Sequence, residues 1–69
     1  MKQFNLEEVQ DNNKPFEVYF DQLGWVKGRL KYVTILPSGA HKIKVIFNSL
    51  DTYDTEWFIL PNERLRMKE

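Results

Sequence analysis

Several residue types that carry chemistry are scarce or missing from this sequence. Cysteine is absent, which excludes disulfide bonds and thiolate metal sites, and His41 is the only histidine. One histidine cannot build a zinc site or a catalytic triad alone. The sequence also has no nucleophile–base pair, phosphate-binding loop or metal-ligand spacing. We therefore expect a protein that is not an enzyme and that uses no metal or cofactor.

Net charge and long apolar segments are lacking as well. The charges of ten basic and ten acidic residues cancel, whereas a domain that binds nucleic-acid backbones is typically basic. No apolar run approaches the roughly 18–20 residues of a membrane span, and the N-terminus has no signal-peptide core. The expected location is intracellular, without membrane contact.

Aromatic residues, by contrast, are plentiful. They make up 14% of a chain of 69 residues, which is long enough for one small domain with one compact core. Such a core does not need this many rings. Some of them are therefore expected on the surface, where they can bind a partner.

Alternation of apolar and polar residues predicts four β-strands, over 16–21, 25–36, 41–48 and 55–60. A short closing strand is expected at 65–67. The apolar parity switches after Tyr32, which indicates a bulge or bend, and Gly28 lets the backbone curl there. Pro37 and Gly39 predict a hairpin loop. The residues expected inside are Val18 or Phe20, Val26, Leu30, Ile43, Val45 and Ile59.

The first fourteen residues differ from the rest in being polar. They are expected to form either a mobile tail or a short helical turn with Asn5 as N-cap and Glu8 in the capping-box position. Residues 15–69 are expected to form the domain. Five short strands, with a single 3₁₀ turn at 61–64 before the last, describe an all-β, SH3-like antiparallel barrel.

The segment from Lys44 to Arg66 carries a resemblance to a known family. Its Phe47, its Tyr53-Asp54 and Glu56-Trp57 pairs and its Arg64-Leu65-Arg66 run are similar to the C-terminal half of Tudor and chromo-barrel (Tudor-knot) domains. Leu50 stands where that family has an aromatic residue, and Thr55 interrupts its Tyr-Asp-Glu-Trp pattern. The resemblance implies recognition of a cationic side chain, usually methylated lysine or arginine, in an aromatic cage. A histone tail is the partner that it implies, and the nucleus the location in a eukaryote.

The residues expected to form the cage are aromatic with an acidic rim. Each ring face attracts a cation, with about 2 kcal/mol or more from a desolvated contact. Trp57 is expected in the core instead, and Phe47 in either place. Tyr53, in an expected loop between two acids, is the strongest candidate. The predicted cage comprises Tyr19, Trp25, Phe47 and Tyr53, with Asp51 or Asp54 at the rim.

Two alternatives stay open. Five cations are predicted on one outer sheet face, where they could follow a nucleic-acid backbone or simply be solvated: Lys27, Arg29, Lys31, Lys42 and Lys44. The other alternative is a protein–protein adaptor that does not depend on modification, as expected if Leu50 has abolished the cage. In each case the chain is expected to act as a monomer or as a module of a larger assembly.

Overall fold

A computed structural model describes residues 2–68 and shows a mostly antiparallel β-sheet with one short helix. The elements in chain order are β1 (Lys2–Gln3), α1 (Leu6–Asn12), β2 (Phe16–Phe20), β3 (Gly24–Ile35), β4 (His41–Ser49), β5 (Thr52–Ile59) and β6 (Leu65–Met67).

The sheet contains six strands in the order β1-β6-β2-β3-β4-β5. The prediction of five strands was wrong because Lys2 and Gln3 pair with Met67 and Arg66 at the edge of β6. In the described part of the chain, the edge strands β1 and β5 do not pair with each other, so the sheet is not closed into a barrel. Within residues 2–68, no helix has the length and apolarity needed to cross a membrane.

Helix α1 begins where its capping residue predicts. Asn5 is the N-cap, and its side-chain Oδ1 accepts a hydrogen bond from the Glu8 backbone N–H at 3.1 Å. The helix ends at Asn13, which is left-handed with φ 52°. Val9 enters the core, and the ring of Phe4 packs edge-on against Phe16 with centroids 5.1 Å apart. The N-terminal segment is therefore packed against the sheet.

The core lies on one face of the sheet and is wholly apolar in the described chain. Val18, Ile43 and Val45 are fully buried, as alternation predicted, and Val26 and Leu30 pack against them partly buried. The buried side chains are Val9, Phe16, Val18, Ile43, Val45, Phe47, Phe58, Leu65 and Met67.

Strand β3 bends so that its first half pairs with β2 and its second half with β4. The predicted irregularity is present as a bulge between Leu30 and Tyr32, which turns Tyr32 outward rather than inward. Gly28 lies where the bent strand passes the core. A Cβ there would come within 2.8 Å of Phe16 Cε2 and 2.9 Å of Val45 Cγ1. Only glycine fits this approach without movement of its neighbours.

The acidic loop predicted around Tyr53 is absent. Strands β4 and β5 are joined by a two-residue turn at Leu50 and Asp51, and both Tyr53 and Asp54 lie within β5. Leu50 has φ 58°, a left-handed conformation that few residues other than glycine adopt. The sequence carries no Asn-Gly or Asp-Gly pair there, the usual mark of so tight a turn.

The predicted phase of β5 was also wrong. Phe58 is buried opposite Ile43, whereas Ile59 and Trp57, both expected inside, are 52% and 41% exposed. A strand has side chains on alternate faces, so an error of one residue moves every side chain to the other face. The true phase places Asp54 and Glu56 on the inner side of the sheet, near Phe47 and Val45.

Candidate functional site

A large cleft lies at one end of the sheet, where the β2–β3 turn lies near the C-terminal end of β4 and the N-terminal part of β5. It is open to solvent and has a volume of about 1080 Å³. Its lining combines aromatic side chains with carboxylates. The residues are Tyr19, Phe20, Asp21, Gln22, Leu23, Trp25, Phe47, Ser49, Asp54, Glu56, Glu63 and Arg64.

Two ring pairs form the aromatic part of the cleft. Phe20 and Phe47 pack together with centroids 4.3 Å apart, and Phe47 is buried. Tyr19 and Trp25 are direct partners in the β2–β3 ladder, with centroids 5.4 Å apart. The tight hairpin therefore fixes the Tyr19–Trp25 pair, which remains partly exposed.

Arg64 covers one part of this aromatic surface. Its guanidinium carbon lies 5.0 Å from the Phe20 ring centroid and 5.1 Å from that of Phe58. Its Nε donates to the Tyr19 carbonyl oxygen at 3.1 Å, and its Nη1 to Glu56 Oε2 at 3.0 Å. Arg64 therefore occupies the position that a ligand cation would take between these two rings.

Arg66 covers a second ring in the same way. Its guanidinium carbon is 4.0 Å from the Trp25 ring centroid, and its Nε donates to Glu17 Oε1 at 3.0 Å. A second nitrogen of Arg66, Nη2, lies 2.9 Å from the same oxygen. Both arginines of the Arg64-Leu65-Arg66 run thus stack on aromatic rings of the chain itself.

The carboxylates give the cleft a negative charge. Four acidic residues line it against one guanidinium. Glu56 is paired with that guanidinium in the salt bridge to Arg64, whereas Asp21, Asp54 and Glu63 are exposed. Within residues 2–68, no group of three or more acidic or histidine side chains is arranged to hold a metal ion.

The structure brings together only part of the predicted cage. Tyr19, Trp25, Phe47 and Asp54 all line the cleft. Tyr53 does not line it, because it lies opposite Asn48 on the other face of β5 and is 67% exposed. Asp51 and Leu50 sit in the tight turn, also outside the cleft lining, so neither can serve as a wall.

The five cations of the alternative site do not form one compact group, because they are divided between two parts of the sheet. Lys42 and Lys44 lie on the outer face of β4, and Arg29 lies opposite Ile46 on the same face. The Lys31 Nζ reaches to 5.7 Å from the Tyr32 ring centroid. Lys27, however, stands opposite Glu17 in the β2–β3 part of the sheet.

Sequence reasoning missed several residues of the cleft. Phe20 was considered only for the core, and Asp21 and Glu63 belong to turns whose position depends on the tertiary fold. Glu56 was noted only for its place in the family-like Glu56-Trp57 pair. Arg64 carried one signal, its place in the family-like Arg-Leu-Arg run, but spacing alone could not show that its side chain lies over Phe20 and Phe58.

Comparison with known proteins adds no assignment. No family model matches the chain, and neither the curated proteins nor the solved structures gave a significant match.

Proposed function

We propose that this protein is a non-catalytic recognition module that binds a cationic side chain of a peptide or protein in the cleft. The observation that carries the proposal is that four carboxylates and the partly exposed Tyr19–Trp25 pair line the same cleft, with Arg64 as the only basic residue in its described lining. A lysine or arginine would meet exposed carboxylates at Asp21, Asp54 and Glu63 and a ring face beside them.

We also propose that the fold is an SH3-like barrel of the Tudor or chromo-barrel kind with an open seam. Its support is the run β6-β2-β3-β4-β5 within the sheet, together with a long β3 that is bent at a bulge. Such a strand serves two halves of a curled sheet, as small barrels require. The cleft then lies at one end of the barrel.

The ligand's charge matters more here than its methylation. Arg64 and Arg66 already stack on Phe20, Phe58 and Trp25, so a full box of free ring faces is not open to a methylated ammonium. Carboxylates instead favour a cation with N–H donors, since charged hydrogen bonds are the stronger kind. An unmodified lysine or arginine is the expected ligand, carried by a partner such as a basic protein tail.

The test is a titration of the ¹⁵N-labelled protein with three peptides that differ at one position: lysine, trimethyl-lysine or the uncharged norleucine. We expect shifts at the Tyr19 and Asp54 amides and at the Trp25 indole N–H with the first two peptides. The lysine peptide should bind more tightly than the trimethyl-lysine peptide by up to about threefold, because only lysine offers N–H donors, and norleucine should abolish binding. One exposed ion pair contributes about 1 kcal/mol or less, so Asp54→Asn should weaken binding by up to about fivefold.

Asp51→Asn is the matched control, because it removes the same charge from the neighbouring turn without touching the cleft. It should leave the affinity unchanged. An equal loss of affinity for Asp54→Asn and Asp51→Asn, or binding of the norleucine peptide, would contradict the proposal. A preference for trimethyl-lysine of more than about tenfold would restore the aromatic-cage mechanism in place of the ion-pair one.

A further inference from the structure

A second surface lies on the outer side of strands β3, β4 and β5, away from the core. Its main side chains alternate between rings and cations. We define this basic–aromatic face by Arg29, Tyr32, Lys42, Lys44, Tyr53 and Trp57. The rings are well exposed, at 57% for Tyr32, 67% for Tyr53 and 41% for Trp57. An exposed cluster of large aromatic side chains is unusual on a surface that binds nothing.

The strand register places no carboxylate in three rows that cross this face. One row across the three strands is Tyr32, Lys44 and Trp57. The next is Thr34, Lys42 and Ile59, and another is Arg29, Ile46 and Thr55. The acids of β5 point to the other side, where Asp54 and Glu56 line the cleft.

Cations and rings are interleaved at contact distance. Lys44 Nζ lies 5.5 Å from the Trp57 ring centroid and 6.0 Å from that of Tyr32, between the two rings. Lys42 Nζ lies 5.0 Å from the Trp57 centroid. Neighbouring strands are about 4.8 Å apart, so β3 and β5 hold Tyr32 and Trp57 roughly 10 Å apart with an ammonium between them.

We infer that the basic–aromatic face binds single-stranded nucleic acid. A single strand presents unpaired bases and phosphates in alternation, and the face presents rings and ammonium groups in alternation. Bases can stack on Trp57 and Tyr32 because stacking needs only an exposed π-face. Lys42 and Lys44 would then leave the rings for the phosphates, exchanging a cation–π contact for an ion pair. A base-paired duplex offers the phosphates but hides the faces of its bases.

The inference does not depend on the proposed function, since none of the six residues of the basic–aromatic face lines the cleft. An acidic peptide is the rival occupant, because it would pair with the lysines but has no bases to stack on the rings. The contribution of Trp57 to the binding affinity therefore distinguishes single-stranded nucleic acid from an acidic peptide.

The experiment measures fluorescence anisotropy of a labelled oligothymidylate of about twelve nucleotides, within the range of small single-strand sites. The same protein is titrated with a duplex of equal length and with an oligo-glutamate peptide. We expect the single strand to bind most tightly. Its log affinity should fall with log salt at a slope of about −0.7 for each phosphate contact.

Two variants separate charge from stacking. Lys42→Gln with Lys44→Gln should make the salt slope shallower by about 1.4, since each lysine contributes about 0.7. Trp57→Leu should weaken binding about tenfold, within the range for loss of one stacked base, and leave the slope unchanged. Circular dichroism and a thermal melt check that Trp57→Leu remains folded, and Tyr32→Leu is a second stacking variant.

Lys2→Gln with Lys68→Gln is the charge-matched control, because both lysines are exposed and lie at the opposite edge of the sheet, in β1 and just after β6. It should leave the salt slope unchanged. The inference is overturned if this control changes the salt slope as much as the Lys42/Lys44 double variant does. It is also overturned if Trp57→Leu and Tyr32→Leu both bind the single strand with unchanged affinity. Equal or tighter binding of the duplex or the oligo-glutamate, or no binding of the single strand at about 50 mM salt, would also overturn it.

Discussion

Gly28 shows how closely β3 approaches the core. A Cβ at this position would meet Phe16 Cε2 at 2.8 Å and Val45 Cγ1 at 2.9 Å. Because these atoms are buried and cannot swing into solvent, Gly28→Ala should lower the free energy of unfolding by about 1–3 kcal/mol, the usual cost of overpacking. Urea denaturation followed by circular dichroism measures the change.

A double-mutant cycle identifies the clash as the cause. Phe16→Leu removes the ring atoms nearest to Gly28, so the added methyl group should cost less in that background than in the natural chain. Strictly additive losses would mean that Gly28→Ala acts through the backbone of β3 instead of through Phe16.

Among the strands, β5 offers the clearest comparison of neighbouring residues. Phe58 is buried opposite Ile43, while Trp57 lies on the outer face beneath two lysines. Phe58→Ala should therefore cost about 3–5 kcal/mol or prevent folding. Trp57→Ala should cost only about 1 kcal/mol, the ordinary effect of a partly exposed substitution. Chemical denaturation of both variants tests this, and a larger loss for Trp57→Ala would reverse the assigned faces.

The same strand shows where sequence reasoning fails. Trp57 and Ile59 form one apolar alternation, and Phe58 and Leu60 form the other, so periodicity cannot choose between them. Only the register with β4 decides, and that register depends on the Leu50–Asp51 turn, which has no sequence mark. The Leu36–Ala40 hairpin was predictable because Pro37 and Gly39 supply the two conformations that it needs.

Part of the cleft was predictable because local strand pairing brings some of its residues together. Tyr19 and Trp25 flank a short turn at 21–23, so local pairing alone brings them together. Asp54 and Phe47 are also direct partners across the β4–β5 ladder. Arg64 and Glu63 reach the cleft from beyond β5, through a turn closed by the Leu65 N–H and the Asn62 carbonyl. No local pattern specifies where that turn lies.

At the scale of the whole molecule, zero net charge conceals a strong separation of charge. Four acids surround the cleft, while the basic–aromatic face has cations without acids in its registered rows. Alternation along β5 and its neighbour β4 produces this separation, because successive side chains point to opposite sides. The net charge therefore gave no indication of either surface. A net charge of zero therefore does not exclude nucleic-acid binding on the basic–aromatic face.

The pairing of β2 with β6 has a further consequence, for the order in which the chain folds. Strands β2, β3, β4 and β5 are joined by short turns, whereas Glu17 and Arg66, which meet across β2 and β6, are 49 residues apart in the sequence. Closing the longer loop costs more entropy, so we expect the four-stranded meander to form in the transition state and β6 to dock afterwards. Val45→Ala should then slow refolding, and Leu65→Ala should mainly accelerate unfolding. Stopped-flow measurements of both rates would show whether the end of the chain is the last part to fold and the first to detach.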